Sequence, residues 1–379
     1  MKTALIHAGM PKTGSSAIQE AIQGLDRNGV RAVRWRSPNQ SGLVALLFME
    51  PVEEFRAFRA NGRSRAELMA ERATWQQNLR EDLSEPEVEL PVLSGEIIAS
   101  LDHDALARMR DFWHACDRAP RIVAYVRSPV SFISSAFQQI LKTPNLDRLS
   151  NIGSFWPHYR KRFETFDTVF GRENVELRLF ERGHLESGSV VQDFGRMLGV
   201  ALPEPQGVNE TMSVEAASLL YVQRIMGQGM PRGYPTALRE NQAFYEAVMR
   251  IGTGKFAFGP AITDPILAAN AEDLAWIDAR MGVDMMEIER ASARRVERPI
   301  DDLSDFAAIA TEVLPRLEAL LAERMHRSEP IVMKPGGPAA RERRARAAAD
   351  RPLPVLRALE ALRLLEGGRF EPPFEAGEQ

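Results

Sequence analysis

A chain of 379 residues with 44% hydrophobic side chains can bury a sizeable core, which excludes disorder as its dominant state. Its 48 basic and 52 acidic residues leave a formal net charge of -4, so there is no general attraction to nucleic acid and any anion site must be local. One cysteine, Cys116, excludes an internal disulfide framework and a multi-cysteine zinc site, and it fits a reducing compartment, with the cytoplasm as the expected location.

The opening Met1 to His7 stretch has no apolar run of signal-peptide length, and no window approaches the roughly 20 apolar residues of a spanning helix. In chain order, a β-type run from Thr3 to Ala8 leads into a Gly/Pro/Lys loop. Ala17, Ile18, Ala21, Ile22 and Leu25 then recur at helical spacing over Ser15 to Leu25. Short apolar runs follow at Val30 to Trp35, Leu90 to Leu93, Arg121 to Val126 and Val175 to Phe180. They alternate with helical patterns over Ser64 to Leu83, Asp104 to Cys116 and Pro129 to Leu141. This alternation predicts an α/β fold, a parallel β-sheet flanked by helices on both faces.

Beyond Thr211 the strand signals fade and the chain reads as mostly helical to about Arg324. Composition changes after Lys334, where Pro335-Gly336-Gly337-Pro338 and the basic run Arg341 to Arg346 read as a linker. Over Pro354 to Leu365, the residues Val355, Leu356, Leu359, Leu362 and Leu365 share one helical face, opposite Arg357, Glu360 and Arg363. The expected organisation is one domain over 1–330, then a basic linker and short amphipathic helix over 331–379. Docking of that helix on its own domain is the simpler expectation; the alternative is peripheral contact with a membrane surface or a partner.

The chemistry is concentrated in His7-Ala8-Gly9-Met10-Pro11-Lys12-Thr13-Gly14-Ser15-Ser16, between the first strand and the first helix. Ligands of open α/β sheets sit beyond the carboxyl ends of the strands, where a helix N-terminus offers unpaired N–H groups and a positive dipole end. Gly9 and Gly14 permit close backbone approach, Ser15 and Ser16 add hydroxyls, and Lys12 adds a mobile charge. The pattern is a phosphate cradle but not a nucleoside-triphosphate loop, because the lysine precedes the second glycine. Gly252-Thr253-Gly254-Lys255 is followed by Phe256 where a hydroxyl residue would be needed, and it reads as a decoy. With no hydroxyl after a Gly-Lys pair, the usual magnesium ligands are missing and a metal-free transfer is favoured.

Pro11-Lys12-Thr13-Gly14-Ser15-Ser16 resembles the loop that grips the 5′-phosphosulfate in sulfotransferases that use 3′-phosphoadenosine 5′-phosphosulfate (PAPS), especially their bacterial branch. Tyr125-Val126-Arg127-Ser128-Pro129 resembles a second element of that family, an arginine at a strand end with a serine eight positions on, here Ser135. The resemblance implies that Arg127 and Ser135 hold the 3′-phosphate and that the fold is the P-loop-like sulfotransferase fold. Independently of the family, a guanidinium can grip phosphate through a planar fork of donors. Phe170 to Arg178 and Asn209 to Ala216 also resemble bacterial members. The likeness spans about residues 1–285.

Sulfuryl transfer needs a base for the acceptor's proton and a cation for the departing phosphate. Lys12 is the candidate cation. Glu96 follows the strand ending Leu93-Ser94-Gly95, and the resemblance implies it as general base, since members carry histidine or glutamate at that strand end. His7, beside the cradle, is the rival base, although a lone histidine there is more often a hydrogen-bonded wall residue. His103 reads as part of a helix-start turn. Ser94 is a candidate for shaping the acceptor site, where bacterial relatives often carry a second serine in place of Gly95.

The function expected is transfer of a sulfuryl group from PAPS to a hydroxyl or amine of a carbohydrate, lipid or small molecule, leaving adenosine 3′,5′-bisphosphate. A phosphotransferase using a nucleoside triphosphate and a non-catalytic nucleotide-binding adaptor are the alternatives. Acceptor specificity is expected on Ser37 to Arg63 and on the helical region after Thr211.

Overall fold

The computed structural model describes residues 1–142, 149, 151–205, 212–226, 245–293, 296–326 and 353–365. The linker over 335–346 and residues 209–211 of the family-like Asn209 to Ala216 stretch lie outside these. The chain forms two compact units. The first comprises Met1–Ser128, Pro157–Asn209 and Ala271–Met285; the second comprises Pro129–Trp156, Glu210–Asn270 and Met286–Gln379. Both draw on the 1–330 stretch, and the C-terminal helix is grouped with the second.

The first unit is built on a six-stranded sheet: β1 (Lys2–Ala8), β2 (Asp26–Arg27), β3 (Val30–Ala32), β4 (Leu90–Gly95), β5 (Arg118–Val126) and β6 (Val175–Leu179), in the order β2-β3-β4-β1-β5-β6. β1 pairs in parallel with β4 and β5, as do β3 with β4 and β5 with β6. The fold is therefore α/β with a mostly parallel sheet. The exception is β2, which pairs antiparallel with β3. Asn28 and Gly29 take φ values of 54° and 75°, the left-handed backbone that a two-residue hairpin turn requires.

The helices follow in chain order as α1 (Ser15–Ile22), α2 (Ser41–Phe48), α3 (Arg56–Ala60), α4 (Arg65–Ser84), α5 (His103–Ala115), α6 (Pro129–Leu141), α7 (Tyr159–Phe170), α8 (Val190–Leu198) and α9 (Val214–Tyr221). α4 starts where its sequence says it should: Ser64 accepts from the Glu67 N–H, and the Glu67 carboxylate accepts from the Ser64 N–H, a reciprocal cap. α1 and α8 cover one face of the sheet, where Ile18, Ile22, Val191 and Phe194 pack on Leu5, Val123 and Tyr125. Fully buried side chains such as Ile18 and Phe194 each contribute about 2 kcal/mol of burial free energy. Strand alternation turns Ile122, Ala124 and Val126 to the opposite face, where α5 and α7 pack against β5.

The described part of the second unit is mainly helical. Phe137 on α6 stacks on Phe256 and Phe306 and meets Phe258 edge-on, which gives the unit its own aromatic core. The helix Leu353–Leu365 packs on Asp305–Glu312 and Leu314–His326, burying Val355, Leu359, Leu362 and Leu365 while Leu356 stays half-buried. The predicted amphipathic helix thus docks on its own unit. Among the described residues no helix is long and apolar enough to cross a membrane.

Candidate functional site

Three neighbouring strands end together. The registers His7↔Ser94 and Ala8↔Gly95 between β1 and β4, and His7↔Val123 between β1 and β5, bring the Gly9 loop, Glu96 and Arg127 to one edge of the sheet. The connection after β1 leaves toward β3, whereas the one after β4 crosses to β5 on the other side, so the winding reverses around β1. Ligand crevices of open sheets form at such a reversal.

The loop itself is a tight, self-bonded turn. Thr13 Oγ1 donates to the Met10 carbonyl at 2.7 Å, and Ser15 Oγ donates to the same carbonyl at 3.3 Å. Thr13, Ser15 and Met10 are buried, while Ser16 is exposed and Lys12 half-buried. A Cβ on Gly9 would lie 2.6 Å from Ser15 Oγ and 3.3 Å from Glu96 Cγ, so this glycine lets the loop close against both. Gly14, at φ 74°, is the N-terminal flanking residue of α1, where a Cβ would strike Val190 at 2.7 Å. α1 has no side-chain cap and no acidic residue in its first turn, so its leading N–H groups face the loop without a resident carboxylate.

Lys12 adopts a left-handed backbone, φ 67°, and its carbonyl accepts from Arg127 Nη1 at 2.8 Å. Arg127 is thereby tied to the cradle across the β1–β5 ends. Its guanidinium lies 5.5 Å from the centre of the Phe180 ring, and its carbonyl accepts from Tyr159 Oη at 2.6 Å. Glu96 opens the 3₁₀ turn Glu96–Ser100 directly after β4 and is half-buried. Burial pushes its carboxyl above the usual range, with the charge of Lys12 pulling the other way, so these two groups sense each other. The structure brings Gly9, Lys12, Thr13, Gly14, Ser15, Glu96 and Arg127 to one sheet edge. Ser135 belongs to the second unit, on α6, and is half-buried.

His7 is placed differently from Glu96. Its ring is fully buried, edge-on to Tyr125 and tilted against Phe194, and its Nδ1 pairs with Ser94 Oγ at 2.8 Å. Burial lowers its pKa from 6.5 to about 4, so at neutral pH it is an uncharged wall residue. Ser94 is committed to that pair, and its N–H donates to Gln40 Oε1 at 2.6 Å, which places it inside the wall. Gly95 has a steric reason: a Cβ there would lie 3.3 Å from the backbone nitrogen of Ser41, whose hydroxyl accepts from the Ile97 N–H. The start of the Ser37 to Arg63 stretch is thus hydrogen-bonded to the Glu96 strand end. His103 begins α5 behind its Asp102 cap, as expected.

The buried His7 carries a prediction. Its folded pKa lies below the unfolded one, so the unfolded chain binds the extra proton first and stability falls as pH drops from about 6.5 toward about 4. This one group accounts for about 3 kcal/mol over that window. Urea titrations of the parent and His7→Asn at pH 7 and at the acid end should show a shallower loss in the variant; equal losses would mean that His7 is not held neutral.

Sequence reasoning missed Tyr159, Phe180 and Gln40, which position Arg127 and Ser94 without any local motif. It also missed the support beneath them, where Arg178 donates to both Asp193 oxygens at 2.9 Å and Tyr125 Oη donates to Asp193 Oδ2 at 2.7 Å. Burial alone would raise the Asp193 pKa, yet the hydrogen bonds from Arg178 and Tyr125 hold it below its ordinary value. The available signal was a tyrosine within a buried strand, which requires a polar partner. Two surface cavities, of about 400 and 320 Å³, lie in the second unit on either side of Gly252 and Thr253. Gly252 takes φ 80° over the Glu215 side chain, so this glycine pair serves a close backbone approach within that unit.

No family model and no solved structure matches the chain. An uncharacterized protein of Archaeoglobus fulgidus is 23% identical over 136 residues, 35% of this chain and 37% of the relative, so the match spans little more than a third of that relative's length.

Proposed function

We propose that the protein is a PAPS-dependent sulfotransferase acting on a hydroxyl or amine of a carbohydrate, lipid or small molecule. One observation carries the reading: a lysine, a carboxylate with a raised pKa and a strand-end arginine meet at one sheet edge beside an open helix N-terminus. The resemblance of Pro11 to Ser16 and Tyr125 to Pro129 to the family's loops supports PAPS as the sulfuryl donor.

In this mechanism PAPS supplies an activated sulfuryl group and a good leaving group. The N–H groups at the start of α1, with Ser15 and Ser16, hold the 5′ end, and Arg127 takes the 3′-phosphate. Glu96 accepts the acceptor's proton as the new O–S or N–S bond forms on one side of sulfur. Lys12 stabilises the charge growing on the phosphate oxygen as the old S–O bond breaks on the other. A raised carboxyl pKa makes Glu96 a stronger base than an ordinary glutamate, which suits this role.

Calorimetric titration with adenosine 3′,5′-bisphosphate tests the reading. Saturable binding to the parent, weakened about tenfold or more in Arg127→Gln, is expected. Absence of binding by the folded parent would overturn it, and magnesium-dependent phosphoryl transfer from ATP would favour the phosphotransferase instead.

A further inference from the structure

Arg162, in the first turn of α7, is served differently from the other inward-facing arginines of the first unit. Arg31, Arg72, Arg178 and Arg280 each face a carboxylate, on Glu85, Glu50, Asp193 and Asp167 respectively. Buried Arg118 has no carboxylate but donates to the carbonyls of Leu83, Val88 and Glu89 at 2.7, 2.8 and 3.1 Å. Half-buried Arg108 donates to the Phe48 carbonyl at 2.9 Å, whereas Arg162 has none of these arrangements. Its Nε reaches the Pro157 carbonyl at 3.3 Å and its Nη1 reaches the Ala99 carbonyl at 3.5 Å, both long, and no carboxylate pairs with it among the described residues. The neighbouring Asp273 is turned to the N–H groups of Tyr159 and Arg160, at 2.9 and 2.7 Å. Desolvation accordingly pushes the Arg162 guanidinium below its ordinary range.

A guanidinium has five N–H donors and cannot shed its charge, so a half-buried one held by two long contacts keeps donors for an incoming anion. Position gives that anion a meaning. Ala99 belongs to the 3₁₀ turn that begins at Glu96, and Tyr159, one turn before Arg162 on α7, is bonded to the Arg127 carbonyl. The half-buried side chain thus stands between the turn bearing the proposed base and the helix start held by the β5 end.

We propose that Arg162 is an oxyanion-binding side chain that takes a carboxylate, sulfate or phosphate group of the acceptor, which makes the acceptor an anionic molecule. The acceptor assignment rests on the sulfotransferase reading; the oxyanion site itself does not. The first arm of the test therefore uses inorganic sulfate and protein carrying Lys12→Ala, so that the cradle lysine does not contribute. Sulfate added at constant ionic strength should raise the thermal midpoint saturably. Adding Arg162→Gln should weaken the apparent affinity about tenfold. Equal responses with and without Arg162 would overturn the site. Should the glutamine variant fail to fold, Arg162→Lys keeps the charge without the planar fork and is expected to fall between the two, with an unchanged response counting against the proposal.

The second arm compares PAPS-dependent sulfation of two acceptors that differ by one carboxylate. Arg162→Gln should raise KM for the charged acceptor about tenfold, with kcat and the neutral acceptor little changed. An unchanged KM for the charged acceptor would make this a free-ion site and overturn the acceptor assignment. Absence of any transfer by the parent would count against the sulfotransferase reading while leaving the sulfate arm to decide Arg162.

Discussion

Lys12→Gly is expected to yield a protein at least as stable as the parent and nearly devoid of transfer activity. Lys12 holds φ 67°, a left-handed backbone that costs a residue with a Cβ about 1 kcal/mol and costs glycine almost nothing. Its carbonyl would still accept from Arg127, because that bond uses only the main chain. Removing the ammonium, however, takes away the cation assigned to the departing phosphate, and loss of one such preorganised group lowers turnover by about 10²–10³. Urea midpoints and kcat measured side by side check both halves. Activity within a few-fold of the parent would remove Lys12 from the leaving-group side, and a large fall in the midpoint would mean that its side-chain contacts outweigh the backbone strain.

Glu96→Gln should lower kcat by about 10²–10⁴ while leaving adenosine 3′,5′-bisphosphate affinity within about twofold. The substitution keeps shape and removes the carboxylate's charge together with its capacity to take a proton. A pH profile provides an independent check. The proposed base would work deprotonated, and burial lifts the Glu96 pKa above the ordinary 4.5, so the parent's rate should climb with pH through a value above that. Lys12 pulls the same pKa down, so in Lys12→Ala the acid limb should move further up while residual activity lasts. Full activity in Glu96→Gln would move the base role to the acceptor itself, since His7 is enclosed by Tyr125 and Phe194.

The α/β architecture was legible because each buried strand is a short apolar run and each covering helix repeats its apolar residues at helical spacing. α6 was readable over its full Pro129–Leu141 span, where Pro129 marks the start. β2 was not, because two exposed residues, Asp26 and Arg27, carry no apolar signal and depend on the Asn28-Gly29 turn. At the site, the cradle residues were readable because their chemistry is contiguous in the chain. The partners of Arg127 and Ser94 were not: Tyr159 and Gln40 come from other elements and do their work only through the tertiary fold. The position of Glu96 just past a strand end was legible, whereas its altered acidity depends on burial that no linear pattern encodes. His7 shows the opposite case, a residue close to the cradle in sequence that the strand's alternation turns into the wall.

The way the last described helix is seated bears on how the tail can be studied. Val355, Leu359, Leu362 and Leu365 complete the packing of Asp305–Glu312 and Leu314–His326, so shortening the chain ahead of Leu353 would strip those helices of their cover and wet an oily stripe. Any loss of recruitment after such a cut would be confounded by clumping. Outward positions such as Arg357, joined to Glu318 at 2.5 Å, and Glu360 offer a cleaner handle, because recoding them alters what a visitor meets and spares the masonry behind it.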